Sequence, residues 1–320
     1  MVTARDAKPD TAPDVAADTV LAVESLTKRY GDLVAVDGIS FRVRPGETFG
    51  MLGPNGAGKT TTLEMIEGLR RPDGGVITLL GLDAVRQRRA VQERIGVQLQ
   101  SQALWPELTV EEVLKTFQAL FRRRVPIDEL LQRFTLVDKR RALVSNLSGG
   151  QKQRLSIATA LVNDPDVVFL DEPTTGLDPS ARHIFWDLIR EMQTRGKTVI
   201  VTTHYMEEAE ALCDRVAIMD RGRIIAEGTP KQLVHDLPFD NTVECSFGSA
   251  IDDARLLALP AVREVKRENG SYLLFTTDVS ATVAGLMEFG HGDDGVRNLQ
   301  VRTATLEDVF ISHTGRRLRD

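Results

Sequence analysis

Thr48-Phe49-Gly50-Met51-Leu52-Gly53-Pro54-Asn55-Gly56-Ala57-Gly58-Lys59-Thr60-Thr61 is the stretch that decides the fold. Its first five residues read as a short apolar strand, and Thr60 to Leu69 has the composition of a helix. Between them, Gly53 to Thr60 fits the Gly-x-x-x-x-Gly-Lys-Thr pattern of a phosphate loop with both flanks in place. The chemistry asks for these residue types. Glycines let the backbone turn its N–H groups inward on an anion, and the helix that follows presents the positive end of its dipole to the same point. Lys59 adds a mobile charge, worth about 4 kcal/mol against one phosphate charge at ~4 Å and an effective dielectric near 20. Thr60 offers a hydroxyl to Mg²⁺, which takes few protein ligands and keeps several waters. The expected phosphate contacts are therefore Gly53, Pro54, Asn55, Gly56, Ala57, Gly58, Lys59, Thr60 and Thr61, with Thr60 also a metal ligand.

Upstream, Leu21 to Val43 reads as strand, turn, strand, broken at Tyr30-Gly31-Asp32. More than a hundred residues downstream, Val167-Val168-Phe169-Leu170-Asp171-Glu172 is an apolar run ended by two carboxylates, the pattern of a buried parallel strand with acids at its C-terminal edge. Ligands of open α/β sheets collect at that edge. Asp171 is placed to hold Mg²⁺, and Glu172, on the other side of the strand, to reach a water in line with a γ-phosphate. A phosphate loop alone leaves GTPases, small-molecule kinases and motor ATPases open. The Asn-Lys-x-Asp guanine reader is missing, because no Asn in the chain is followed by Lys.

Composition narrows the classes further. The 320 residues carry a prior of about two domains, and 42% hydrophobic with 27% charged residues is ordinary globular usage. The 40 Lys and Arg against 46 Asp and Glu give a net charge of −6, so no nucleic-acid partner is expected. No charge-free apolar run approaches the ~18 residues of a spanning helix, so the chain is not expected to form a pore. Met1 to Thr19 is rich in Ala, Asp, Pro and Thr and lacks a signal-peptide core, which predicts a disordered tail on a protein that stays inside the cell. Cys213 and Cys245 form no Cys-x-x-Cys pair, and the five histidines show no metal-ligand spacing.

Leu147-Ser148-Gly149-Gly150-Gln151, between the phosphate loop and the acid-ended strand, is the more specific signal. With its two neighbours it resembles the signature of ATP-binding cassette (ABC) ATPases, over roughly Leu21 to Pro230. The resemblance implies an α/β fold: a P-loop cassette with a mixed sheet core, an antiparallel β subdomain and a helical subdomain over about 101–160, the whole spanning 20–237. It implies that Tyr30 stacks on adenine and that Gln100 contacts Mg²⁺ and the attacking water, although the nearby Gln98 leaves that assignment ambiguous. It implies that Glu172 and His204 are catalytic with Gln100, that Thr60, Gln100 and Asp171 hold Mg²⁺, and that Asp178 lies in a dimer-contact loop. Ser148, Gly149, Gly150 and Gln151 would cap the ATP bound to a second ATPase subunit. The implied cofactors are ATP and Mg²⁺. The implied partners are a second copy and a separate membrane permease, with the chain peripheral on the cytoplasmic side of a bacterial plasma membrane. A soluble ABC ATPase acting on ribosomes or DNA is the alternative, disfavoured by a single cassette and no sustained heptads.

Glu107 to Arg141 reads as helical, with Thr109 as cap and an apolar stripe of Val113, Leu114, Phe117 and Leu120. In the family this insert docks on the membrane partner. From Pro238 onward the pattern is strand, helix, strand, strand, helix, strand, which predicts a small α+β, ferredoxin-like βαββαβ unit over 238–320 with its hairpin at Asn269-Gly270. The tail Thr305-Leu306-Glu307-Asp308-Val309-Phe310 resembles the ends of ATPase subunits from bacterial drug exporters of the daunorubicin/doxorubicin-resistance type. That resemblance implies efflux of drugs or other amphipathic compounds; export of an endogenous lipid, polysaccharide or peptide is the second option.

Overall fold

The computed structural model describes residues 18–99, 104–268, 270–288 and 295–315. Gln100, Asn269 and nearly all of the tail expected over 1–19 lie outside them. The hairpin read around Tyr30-Gly31-Asp32 is present as β1 (Leu21–Tyr30) and β2 (Leu33–Val43). The decisive stretch supplies β3 (Thr48–Leu52), buried at every position, and then α1 (Lys59–Ile66). β4 (Gly74–Leu79) and β5 (Leu82–Asp83) return to the hairpin and complete an antiparallel sheet in the order β2-β1-β4-β5. A short α2 (Arg88–Gln92) leads into β6 (Ile95–Gln98).

The helical insert begins with α3 (Val110–Gln118), where Thr109 and Glu112 form a reciprocal capping box. The helical reading of 107–141 is met by two separate α-helices. α3 stops before Leu120, which is 72% exposed, and α4 (Ile127–Arg133) starts afresh after Pro126, whose ring cannot continue a preceding helix. α5 (Gly149–Ala160) closes the insert. β7 (Val167–Asp171), α6 (Pro179–Thr194), β8 (Thr198–Thr203), α7 (Met206–Leu212), β9 (Arg215–Asp220) and β10 (Arg223–Gly228) then build the second sheet. Its order is β10-β9-β3-β8-β7-β6, with parallel pairing everywhere except at the β9–β10 edge.

Alternation along each strand divides the interior between the two faces of that sheet. Val167, Phe169, Ile200, Ala217 and Met219 pack with Phe49, Met51 and the antiparallel sheet, whereas Val168, Leu170, Val199, Val201, Val216 and Ile218 pack with the helices. Phe41 stacks on Phe49 at 5.3 Å between ring centroids and 3° between planes, joining the two sheets. This sandwich leaves the C-terminal ends of β3, β7 and β8 side by side at one edge, where the site is built.

α8 (Pro230–His235) leads to β11 (Asn241–Phe247), α9 (Asp253–Leu257), β12 (Val262–Glu268), β13 (Ser271–Thr276), α10 (Val279–Met287) and β14 (Val296–Thr303). The antiparallel order β12-β13-β11-β14 is the ferredoxin-like arrangement. Val243, Cys245, Leu256, Leu274 and Leu286 form a core of its own. α11 (Leu306–Thr314) ties this unit down. Its Leu306, Val309 and Phe310 enter the helical-face core, its Ile311 packs on Phe239, Leu273 and Phe275, and Leu306 N–H donates to Glu210 at 2.9 Å.

Candidate active site

The loop after β3 owes its shape to glycines at two close approaches. Gly53 (φ +152°) and Gly58 (φ +103°) lie where a Cβ would sit 2.3 Å from the Met219 carbonyl oxygen and 2.4 Å from that of Ala35. Any side chain would displace the neighbouring backbone. Gly222, in the β9–β10 turn, donates its N–H to the Ala57 carbonyl at 3.0 Å and supports the loop from below. Gly58 caps α1 without a side-chain acceptor, so the first N–H groups of the helix remain available to an anion.

Lys59, 4% exposed, folds back to donate to the Gly53 and Pro54 carbonyls at 2.7 and 3.1 Å, and its Nζ lies 3.4 Å from Glu172 Oε1. At that distance the pair carries about 5 kcal/mol of gross attraction at an effective dielectric near 20, set against the cost of desolvating both groups. Burial lowers the Lys59 pKa, and the charges of Glu172 and Asp171 oppose that shift. Thr60 Oγ1 donates to Asp171 Oδ1 at 3.3 Å, and the Thr202 hydroxyl donates to the same oxygen. Asp171 is held above the usual carboxylate range, first by burial. A hydroxyl and a buried carboxylate, both hard oxygen donors and with room left for water and phosphate ligands, suit Mg²⁺.

Glu172 takes a left-handed φ of +45°, an uncommon conformation for a residue with a side chain. Thr202 secures it, accepting the Glu172 N–H on its hydroxyl at 2.9 Å and on its carbonyl at 3.2 Å. The bend carries Oε2 to within 3.4 Å of His204 Nδ1 and 3.3 Å of the Thr175 hydroxyl. The His204 ring rests 4.2 Å from that of Tyr205, whose other neighbour is the Arg182 guanidinium at 4.3 Å. Lys59, Thr60, Asp171, Glu172 and His204 thus meet at one sheet edge, although they come from three strand ends. Sequence reasoning missed Thr202. Its signal was the polar Thr202-Thr203-His204 ending of an otherwise apolar strand.

The remaining candidates lie elsewhere. Tyr30, at the end of β1, is 39% exposed, with the Arg70 guanidinium 5.2 Å from its ring centroid. Gln98 ends β6 as a buried side chain that donates to the Leu99 carbonyl, while its own side-chain carbonyl oxygen has no partner among the described residues. Ser148 caps α5 by exchanging hydrogen bonds with Gln151 at 3.0 and 3.3 Å, on the surface. Asp178 caps α6 by accepting the Ala181 N–H at 2.9 Å. Gly150 and Leu177 line one small cavity between α5 and α6, which brings the Ser148 turn and the Asp178 loop together as a second group. A Cβ at Gly149 would meet nothing within 4 Å, and one at Gly150 would meet only Ala181 at 3.9 Å, so packing within the chain does not require glycine at either place. Gln153 bridges the two groups by donating to the Pro173 carbonyl, next to Glu172.

Residues 36–175 match the family described as ABC transporter. Across nearly its whole length the chain resembles curated proteins named Nod factor export ATP-binding protein I: 43% identity with that of Ralstonia nicotianae, over 96% of this chain and 98% of the relative, and 44% with that of Rhizobium meliloti, over 98% and 92%. A solved ATP-binding subunit of an ABC transporter superposes with a TM-score of 0.62 at 30% identity, covering 68% of this chain and 92% of the other. An ATP-binding cassette solved as a post-hydrolysis dimer with ADP and Pi gives 0.59 at 26% identity, over 65% and 98%.

Proposed function

This chain belongs to the ABC transporter family of ATP-binding ATPases, and we propose that it is the ATP-hydrolysing subunit of a bacterial exporter, working as two copies on a separate membrane permease. Residues 20–237 are the ATPase cassette and 238–320 an accessory unit. The chain lies peripherally on the cytoplasmic face of the plasma membrane; among the described residues no helix is long and apolar enough to cross it.

The reaction follows from the site. The loop N–H groups and the start of α1 receive the phosphates of ATP, and Lys59 exchanges the Gly53 and Pro54 carbonyls and Glu172 for phosphate oxygens. Mg²⁺, held by Thr60, Asp171 and Gln100, would supply positive charge at the β- and γ-phosphate oxygens. Once Lys59 turns to phosphate, Glu172 is left to orient a water and accept its proton, with its backbone fixed by Thr202. His204, 3.4 Å from Glu172, reaches the γ-phosphate. Tyr30 stacks on adenine after Arg70 moves off its face.

The observation that carries the two-copy reading is the surface-exposed opening of α5, with a hydroxyl, two glycines that intrachain packing does not need and a helix N-terminus. These are the components of a second phosphate clamp, in a chain whose phosphate loop is already complete. Ser148, Gly149, Gly150 and Gln151 would close on the ATP of the partner copy, with Asp178 at the contact. Ser148→Arg should leave ATP binding to the isolated subunit intact and eliminate hydrolysis; wild-type turnover refutes this reading.

The permease fits the groove of about 450 Å³ beside α3, lined by Leu99, Phe117, Leu120 and Phe121. For the cargo, the tail resemblance supports drugs or other amphipathic compounds, as in daunorubicin-type exporters. The relatives' name, Nod factor export, favours the second reading of an exporter serving an endogenous lipid, polysaccharide or peptide. Reconstituted transport with both compound classes separates them.

A further inference from the structure

Glu67 is the C-cap of α1 and is 2% exposed, yet among the described residues its carboxyl has no hydrogen bond or ion pair. It lines the same 450 Å³ groove, whose apolar side chains include Leu69, Leu99, Phe117, Leu120 and Phe121 and whose polar ones include Arg89, Gln92 and Glu93. Leu69, Leu99 and Leu120 are 49%, 38% and 72% exposed, so the groove is an open, largely apolar surface; of its two acids, Glu93 is exposed and Glu67 is the buried one.

That acid is badly placed for a charge with no partner. It is buried, it lies at the negative end of the α1 dipole, and it feels the charges of Asp171 and Glu64. These influences, burial foremost, push its pKa up to about 8. Arg70 is engaged by Glu64, and Arg89, which lines the groove, makes no ion pair with Glu67. What would relieve all three influences together is a cation delivered into the groove among apolar side chains.

We propose that Glu67 anchors a lysine or arginine on the cytoplasmic segment of the membrane permease that occupies this groove. The inference rests on the reading that a permease docks here, and it adds the chemistry by which this subunit recognises its own. It also gives docking a mechanical route to the nucleotide. α1 begins with Lys59 at the phosphate loop and ends at Glu67, eight residues or about 12 Å along one helix, so a permease that grips Glu67 holds the far end of the phosphate-binding helix.

The test uses the full chain co-expressed with a candidate membrane permease from the same genome. Leu120→Cys provides a groove thiol for a bifunctional maleimide–benzophenone reagent, since both native cysteines are buried. Peptide mapping should place the cross-link on a cytoplasmic permease segment containing Lys or Arg. Glu67→Gln should weaken the detergent-solubilised complex at least about tenfold, as should exchange of that permease Lys or Arg for Glu. Combining the permease change with Glu67→Lys should restore affinity to within about threefold of wild type. The melting temperature of isolated Glu67→Gln, equal to or above wild type, excludes misfolding. A permease cross-link together with wild-type affinity for Glu67→Gln overturns the anchor and leaves docking standing. No permease cross-link, or one to a second copy or to residues 1–17, overturns docking itself.

Discussion

Replacing Glu67 with Gln should remove a pH dependence of stability that the buried carboxyl creates. Its folded-state pKa is about 8, against 4.5 for the free group. Between those values the native chain holds a proton that the unfolded chain has released, so native stability falls as pH rises through the window. The slope is about 1.4 kcal/mol per pH unit, with a ceiling on the order of 5 kcal/mol above pH 8. Below pH 4.5 both states are protonated and the contribution vanishes. Gln keeps the shape and cannot ionise. The variant and the wild type should therefore be nearly equal in stability at pH 5, and the variant should be more stable by several kcal/mol at pH 8. Urea unfolding of the full chain at pH 5, 6, 7 and 8 reads this as a difference between two proteins. Glu208, also raised by burial, largely cancels in that difference. A difference that stays flat from pH 5 to pH 8, or a variant less stable at pH 8, would refute the reasoning.

Lys59→Ala should abolish ATP turnover, and undiminished hydrolysis in a phosphate-release assay would sink the phosphate-loop assignment. Asp308, fully buried and bidentate to Arg302, also accepts the Thr305 N–H at the start of α11. Asp308→Ala removes the bidentate partner of a guanidinium that Glu307 and Glu244 still face, and should cost about 1.5 to 3 kcal/mol in urea unfolding. It should also loosen α11, seen as faster proteolysis near residue 305; an unchanged cleavage pattern counts against α11 as the tie between the two units.

Sequence carried the parts of this fold whose signals are local. β3 and β7 were legible because an apolar strand that ends abruptly in Gly or Asp-Glu marks both the buried strand and its functional edge. The C-terminal unit was legible from period and order. Long-range consequences of those elements were not. That Lys59 rests against Glu172, that Thr202 sets the left-handed turn at Glu172, and that the Glu67 carboxyl has no partner among the described residues beneath an open groove all depend on strands and helices converging from distant parts of the chain. α3 ended short of Leu120, since apolar spacing does not register where a helix stops. Ser148 and Asp178 show a further limit: each is a good cap for its own helix, so sequence and intrachain geometry describe them equally well as structural residues.

The claim on which the rest depends is that ATP joins two copies of this chain, with the Ser148 turn of one closing on the phosphate loop of the other. Light scattering on Glu172→Gln, which keeps the phosphate loop and the α5 opening but removes the carboxylate that activates water, tests it most directly. In saturating Mg²⁺ and ATP the particle mass should be twice that of the 35.4 kDa monomer, and it should return to the monomer when nucleotide is withdrawn or when Ser148→Arg is added. A monomer under saturating Mg²⁺ and ATP contradicts the account.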